Sequence, residues 1–568
     1  MKKLLLLPLF FAVIITLSTT SCGDDDPEPA PQPEPEVPTA AVGWPAEYGG
    51  VMLQAFYWDG YEDAQWSKLE DQVDNLATTF DLVWIPQSGN CGGKSMGYDD
   101  LYWFENYNSS FGTEQELRSM IRTFKSKGIG TIADVVINHR RNISTWNDFP
   151  AETYNGVTYQ LTYNDICSDD EAASNGYQVG KNRDTGEGWG DMRDLDHKSE
   201  NVQTNVKAYL KMLLEDLGYV GFRYDMVKGY SGEFTRLYNN DARPQFSVGE
   251  CWDGTNTIKN WIEAAGKTSA AFDFQFRYTV RNAANNGVWT YLGQQNDGNW
   301  PLVSNSFMSG AYRRYAVTFV ENHDTERRPN AEQDPLKKDT LAANAYLLAM
   351  PGTPCVFMKH WQAYRQEIAN MVAVRKAVGI NNMSTTTRVL SQRDYYVVRT
   401  DGNGYKKLLC VVGTKAADYK PDAAWKKAIS GYHYAYYVQG IEPGDIKLPE
   451  LKPQEGEYAG VPSFCTVKSG EVCAFFEAPT SWNNQIFTWA WMNDGNGNDY
   501  VGMDWPGPKA TFLDKADNGN RVYKWTATKT TAPDKIIFSD GAQQTADLIF
   551  ENGGYYNQDG LKGKVSAE

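Results

Sequence analysis

The chain has 568 residues, 41% of them hydrophobic and 13% aromatic, which is enough for several cores and predicts three or four domains. A formal net charge of −17, with no basic patch beyond the first residues, argues against nucleic acid as a partner. An acidic, aromatic-rich chain suits a neutral ligand such as a sugar, although acidic surfaces are also simply solubilising and most aromatics are core.

In chain order, Lys2 and Lys3 precede an apolar run from Leu4 to Leu17 and the small residues Ser18 to Ser21, the layout of a secretory signal over residues 1–21. The run is too short to cross a bilayer. Residues 22–43 form an acidic, proline-rich linker, extended and without a core. From Val51 onward, short apolar runs alternate with amphipathic stretches, the pattern of an α/β chain folded as a (β/α)8 TIM barrel over residues 44–378. Eight strands are expected: Val51 to Phe56, Leu82 to Pro86, Thr131 to Asn138, Gly221 to Asp225, Phe246 to Glu250, Ala271 to Phe274, Ala316 to Val320 and Pro354 to Met358. Helices are expected between them, among others over Ala64 to Thr79, Thr113 to Lys127, Asn201 to Leu217 and Trp361 to Val378. The stretch from about 139 to 196, rich in Asn, Asp, Gly and Tyr, is too long for a bare loop and predicts a small inserted domain after the third strand. Runs such as Tyr395 to Arg399, Leu408 to Val412 and Val472 to Phe476 predict an all-β domain over 379–480. Alternation as in Ile486 to Trp491, broken by Asp-Gly and Asn-Gly turns, predicts a β-sandwich over 481–568.

Within this frame Arg223 and Asp225 are two apart on one strand, so they project from the same face and the guanidinium can keep the carboxylate ionised. An oriented, charged aspartate at the carboxyl end of a strand is a candidate nucleophile, and barrel function collects at that end. No CxxC or Cys/His cluster with zinc spacing occurs. Most cysteines read as small buried residues, while Cys465 and Cys473, flanking a possible hairpin, are candidates for a disulfide.

The strand ends in order read Asp134-Val-Val-Ile-Asn138-His139, Gly221-Phe-Arg223-Tyr-Asp225, Val248-Gly-Glu250-Cys-Trp252 and Phe319-Val-Glu321-Asn-His323-Asp324. Together with Arg193-Asp194-Leu-Asp196, these resemble the signature blocks of the α-amylase family, family 13 of the glycoside hydrolases. Within it, Gln54-Ala-Phe-Tyr-Trp58, Asp184-Thr-Gly186 and Phe272-Asp-Phe274 look like the plant-like α-amylases. The resemblance implies retaining hydrolysis of α-1,4-glucosidic bonds, with Asp225 as nucleophile, Glu250 as acid/base and Asp324 as the third carboxylate, the two catalytic carboxyls standing ~5 to 5.5 Å apart. It further implies that Arg223, His139, His323, Tyr98 and Trp252 serve the substrate site, with Lys228 facing the leaving group or, alternatively, being a surface lysine. A Ca²⁺ site is implied at Asn138, Asp184 and Asp194, with the carbonyls of Glu187 and Gly229; without the family these would read as turn formers. Trp103 stands where the family commonly has Asp, and Glu321 where Asp is usual.

The C-terminal segment resembles a starch-binding module of family 26. Trp489 and Trp491 share a strand face, Trp505 follows nearby, and Gln543 and Gln544 would add hydrogen bonds; the alternative is that two of the three indoles are core. Cys22 after the small residues resembles a lipoprotein box, which implies lipidation, and Gly23-Asp24-Asp25-Asp26 resembles an acidic export tag of surface lipoproteins. The expected protein is an endo-acting enzyme on starch, amylose, amylopectin and malto-oligosaccharides, held to the outer membrane through its lipid alone. An exo-acting or transglycosylating family member, or a starch-binding lipoprotein without catalysis, are the rivals.

Overall fold

The computed structural model describes residues 43–565 except 308–309, 329–330, 453–460, 493–499, 501–503 and 517–518. The signal, Cys22 and all but the last residue of the linker lie outside the described residues.

Eight parallel strands close into a barrel: β1 (Met52–Gln54), β2 (Leu82–Trp84), β3 (Gly130–Val135), β4 (Gly221–Tyr224), β5 (Phe246–Gly249), β6 (Ala270–Phe272), β7 (Ala316–Thr318) and β8 (Thr353–Phe357). Each pairs with its sequence neighbours, and β8 closes on β1 through Met52 opposite Cys355. The strands are buried along nearly their whole length, as parallel strands covered on both faces must be. The helix Glu114–Ser126 shows why the covering layer forms. Thr113 and Glu116 make a reciprocal capping box, and Leu117, Met120, Ile121 and Phe124 bury one stripe against the barrel.

Three expected helices are interrupted. Ala64 to Thr79 becomes Trp66–Asp71 and Val73–Thr79, parted at Gln72; Trp361 to Val378 becomes Met358–Ala363 and Arg365–Val378, parted where Tyr364 leaves helical geometry. The third runs as α-helix from Glu200 to Met212 and widens to a π-turn over Leu213–Leu217, ended by Gly218 at φ 89°. Apolar periodicity reports the buried face, and these breaks leave that face continuous.

The inserted segment is tied at its base by antiparallel pairing of His139–Arg140 with Arg193–Asp194. It contains the hairpin Ala151–Tyr154/Val157–Gln160, turned by Asn155-Gly156, both at positive φ. A buried ion pair, Arg140 to Glu152 at 2.7 Å, fastens it to the loop after β2, because Glu152 also accepts the amides of Trp103, Phe104 and Glu105. Trp103 is buried there, parallel to Tyr209 (5.2 Å, 9°) and under the Arg140 guanidinium (4.2 Å). It therefore supports this loop by packing. Glu321 is likewise engaged, accepting from the Leu336 amide (2.5 Å) and meeting His360 Nε2 at 3.0 Å.

After the barrel come β9 (Thr386–Ser391), β10 (Tyr396–Asp401), β11 (Lys407–Val412), β12 (Lys426–Gly431) and β13 (Tyr434–Gln439), in one antiparallel sheet ordered β9-β10-β11-β13-β12. The C-terminal module follows with β14 (Cys473–Ala478), β15 (Phe487–Trp491), β16 (Thr511–Lys515), β17 (Arg521–Thr526), β18 (Lys535–Ser539), β19 (Leu548–Ile549), β20 (Gly554–Asn557) and β21 (Gly560–Lys564). Its two sheets are β16-β17-β14-β20-β21 and β15-β18-β19. The expected border at 480/481 is wrong. β14 was assigned to the preceding domain, yet it pairs antiparallel with β17 and parallel with β20, in the middle of the C-terminal sheet. Periodicity identifies a strand but not its partner. Cys465 and Cys473 are both buried free thiols in one small apolar cluster with Val467, Phe475 and Tyr555, so the disulfide reading is also corrected.

Candidate active site

The carboxyl ends of β4, β5 and β7 and the loops after β1, β2 and β3 surround a cavity of ≈ 460 Å³. Asp225, Glu250, Asp324, Tyr98, His139, Lys228 and Trp252 all line it, together with Trp58, Trp189 and Arg328.

Arg223 organises the charge. Its side chain is buried, with Nη1 donating to Asp225 Oδ1 (2.7 Å) and to Asp134 Oδ1 (2.8 Å) and Nη2 standing 2.9 Å from Glu250 Oε2. One guanidinium thus serves three carboxylates. Asp134, a residue the sequence reading passed over, is buried and also accepts from Trp84 Nε1 and the Tyr98 hydroxyl, each at 3.2 Å. Met226 sits at φ 41°, a strained setting for a side-chain-bearing residue, and this turn points its amide at Glu250 Oε2 (3.0 Å).

Burial dominates the titration of these acids. It pushes Glu250 well above the carboxylate range; Arg223 opposes the shift, and the negative charges of Asp225 and Asp324 reinforce it. Burial also raises Asp225 and Asp324, with Arg223 pulling both back. The site therefore combines a carboxyl pushed far towards its protonated form with neighbours whose upward shift a cation opposes, an arrangement suited to acid/base work beside a nucleophile.

The two histidines are set differently: His139 lines the cavity and His323 does not. His139 accepts from the Asn138 amide at Nδ1 (3.3 Å) and donates from Nε2 to the Tyr98 carbonyl (3.0 Å), while burial holds its pKa down to about 4. His323 lies behind Tyr98, off the cavity lining. Gln54 Nε2 donates to its Nδ1 (2.8 Å), and its Nε2 meets the Tyr98 hydroxyl (2.6 Å) and Asp324 Oδ2 (3.1 Å). Both rings are neutral braces for Tyr98, with their nitrogens already engaged by protein groups. The indole of Trp58 lies parallel to Tyr98 and His323, within 8° of each ring plane. Lys228 bridges Glu187 of the inserted domain (3.0 Å) and Asp253 (3.1 Å). Trp252 stacks on Phe274 (4.9 Å, 16°) and donates to the Tyr278 hydroxyl.

Behind the cleft, Asn138, Asp184, Asp194 and Gly229 converge. A Cβ on Gly229 would stand 1.9 Å from Asn138 Oδ1, and one on Gly188 would stand 2.6 Å from Asp194 Oδ2 and 3.9 Å from Asp184 Oδ2. Backbone amides satisfy one oxygen of each aspartate, namely Thr185 and Gly186 on Asp184 Oδ1 and Trp189 on Asp194 Oδ1. Asp184 Oδ2 is buried without a hydrogen-bond partner, and Asp194 is pushed up to about 7 by burial, with Asp184 and Asp170 adding to it. A buried orphan oxygen beside a carboxylate that burial keeps from ionising is a donor set in need of a hard cation. The tighter acidic cluster, Asp170, Glu171 and Asp194, differs from the expected set, but Arg193 already neutralises its first two members.

In the module, β15 alternates so that Thr488 and Ala490 are buried while Trp489 and Trp491, on its other face, are half-buried, with Trp489 packing against the module's core. Trp505 is 48% exposed and meets Trp489 edge-on at 5.9 Å. The core positions are filled instead by Trp482 and Trp525. Gln543 and Gln544 are exposed beyond Ser539, which pairs with Phe487, at the end of β15 opposite Trp491.

Residues 187–396 match the family described as alpha amylase, catalytic domain, and residues 474–550 match starch-binding module 26. The matched catalytic-domain residues include Asp225, Glu250 and Asp324. Among its relatives, a probable alpha-amylase 2 of Arabidopsis thaliana is 29% identical over 415 residues, covering 68% of this chain and 93% of that protein. A glucan 1,4-alpha-maltotetraohydrolase of Roseateles saccharophilus is 28% identical over 373 residues, 59% of this chain and 63% of the relative. An alpha-amylase structure from Malbranchea cinnamomea superposes with a TM-score of 0.50 at 17% identity, over 69% of this chain and 94% of that one, a likeness of fold. The segment similar to the alpha-amylase family thus holds the three cleft carboxylates, and the segment similar to starch-binding module 26 holds Trp489, Trp491 and Trp505.

Proposed function

We propose that the chain is a retaining, endo-acting α-amylase that hydrolyses internal α-1,4-glucosidic bonds of starch, amylose, amylopectin and malto-oligosaccharides. One observation carries this reading: Asp225 and Glu250 contact sister nitrogens of one buried guanidinium, with Asp324 lining the same cavity. Asp225 Oδ1 is held by Arg223, which leaves Oδ2 to attack the anomeric carbon. As that bond forms the glycosidic C–O bond breaks, and Glu250 gives its proton to the departing oxygen. Water then attacks the anomeric carbon, the ester bond to Asp225 breaks, and Glu250 takes the water's proton, so the product keeps the α configuration. Asp324 holds the secondary hydroxyls, Tyr98 stacks on the sugar at the scissile bond, and Lys228 and Trp252 meet the leaving chain. The test is a product profile on soluble amylose beside Asp225→Asn. Mixed maltodextrins from the outset support endo action, a single small product means an exo-acting or transglycosylating enzyme, and glucan binding without reducing sugar leaves only a binding protein.

Asn138, Asp184 and Asp194, with the carbonyls of Glu187 and Gly229, would hold Ca²⁺. Bound there, the ion supplies charge neutralisation and fastens the inserted domain to the turn after β4. Trp489, Trp491 and Trp505 would form the starch platform, with Gln543 and Gln544 adding hydrogen bonds at one end. Trp491→Ala should weaken retention on granular starch by about tenfold, roughly the worth of one aromatic contact. Rates on soluble malto-oligosaccharides should stay unchanged; undiminished retention would remove Trp491 from the platform.

We place the protein on the outer membrane facing outward, anchored through Cys22. The support is the sequence alone: a signal ending in small residues, then Cys22 and an acidic run. Cys22→Ser should move the protein from the membrane fraction to the soluble fraction, and a variant that still sediments with membranes would refute the anchor.

A further inference from the structure

The loop after β7 carries a cation with three contacts that converge on the cleft. Arg328 Nη2 donates to the His323 carbonyl (2.7 Å), the guanidinium lies 3.6 Å from Asp324 Oδ1, and its central carbon stands 4.1 Å from the Trp58 ring centroid. Trp58 belongs to the loop after β1, and its backbone amide is also held from the β7 side, donating to Glu326 Oε1 at 2.7 Å. Glu326 is itself buried and paired with Lys359. The indole is therefore fixed twice by one loop, at its backbone by Glu326 and over its face by Arg328.

Asp324 needs such a partner. It faces Asp225 and Arg223 from β4, Glu250 from β5, Tyr98 from the loop after β2 and His323 from its own loop. Two of these neighbours are carboxylates, His323 is neutral, and Arg223 is already shared among Asp134, Asp225 and Glu250. A second cation beside Asp324 offsets that negative charge without drawing on Arg223. A guanidinium suits the place better than an ammonium, because its plane can lie on an indole while its edge donates to a carbonyl.

We propose that Arg328 is the positioning residue for the third carboxylate, holding Asp324 ionised and aimed into the cleft while pinning Trp58 as the adjoining wall. The inference rests on Asp324 acting in glucan hydrolysis as proposed above.

The test compares wild type, Arg328→Gln and Arg328→Lys on a soluble malto-oligosaccharide across pH, with melting temperatures measured alongside. Arg328→Gln should lower kcat by about ten- to hundred-fold, the scale of one charge-assisted contact in a transition state, with KM moved far less. Its acid limb should move to higher pH, since Asp324 then has only the shared Arg223 to hold it charged. Arg328→Lys should return the acid limb to its wild-type position yet leave kcat several-fold low, because the charge is kept and the flat stack is lost. Wild-type kcat and acid limb in Arg328→Gln overturn the proposal. So does a loss confined to KM, which would make Arg328 a sugar contact. If Arg328→Gln does not fold, Arg328→Lys decides: reduced kcat at an unmoved acid limb supports the proposal, and wild-type kcat overturns it. A wild type that releases no reducing sugar would refute the amylase reading itself.

Discussion

Asp225→Asn should lower kcat on soluble amylose by on the order of 10,000-fold or more while the chain still folds and still binds starch. The amide has nearly the shape of the carboxylate and can accept from Arg223 Nη1, so packing around the guanidinium is retained. What is lost is the oxygen that forms the ester. Glu250→Gln should cost less, about 100- to 10,000-fold, because only proton transfer is removed. The pH profile separates the two roles. Glu250 works protonated, and burial with two carboxylate neighbours raises its pKa, so activity falls as pH rises through that raised value and the alkaline limb lies above the ordinary glutamate range. Asp225 works ionised, and burial raises it as well, so activity falls as pH drops through a value above the ordinary aspartate range. The residual activity of Glu250→Gln should lack the alkaline limb, and its persistence would sink the assignment.

Excess chelator should lower the melting temperature by roughly 2 to 6 °C, as expected when a ligand present at about 100 to 1,000 times its Kd is withdrawn from a folded chain of this size. Without a cation, Asp184 Oδ2 keeps an unsatisfied buried lone pair and Asp194 faces three neighbouring acids, Asp184, Asp170 and Glu171. The segment 184–194 carries both, and it also carries Glu187, the partner of Lys228, and Trp189, which stacks near His139 (5.9 Å, 22°). Activity should therefore fall with stability and return on adding Ca²⁺, with Mg²⁺ a poor substitute because it demands smaller octahedral geometry. Asp184→Asn should already be destabilised and respond little to chelator. A wild-type melting temperature and rate that excess chelator leaves unmoved would exclude the site.

Much of this architecture is legible in the amino-acid sequence. Strand periodicity and the polar runs that follow each strand place all eight barrel strands, because parallel strands buried on both faces are short, continuous apolar runs in sequence. Residues near the strand ends, such as Arg223 and Asp225, were legible for the same reason, since their side-chain direction follows from backbone parity. Asp134 was not. It reads as one polar residue within β3, and only the proximity of β3 to β4 shows that it shares Arg223 with the nucleophile. Trp58 and Arg328 lie in loops far apart in sequence, and no local pattern encodes a contact across the barrel mouth. His139 and His323 were legible through the signature blocks, whereas their bonds to Tyr98, His139 to its carbonyl and His323 to its hydroxyl, join parts of the chain that no local pattern links.

The placement of β14 bears on how the C-terminal unit could be moved between proteins. The strand is the central member of its sheet, with β17 on one side and β20 on the other, and Val461, Phe464 and Cys465 pack on the same small cluster as Cys473 and Phe475. A graft cut at residue 481 would lift out both outer pairs of that sheet while leaving behind the strand that joins them. The transferable cassette begins at or before Val461, and its first and last strands lie close together, so it can be inserted as well as appended.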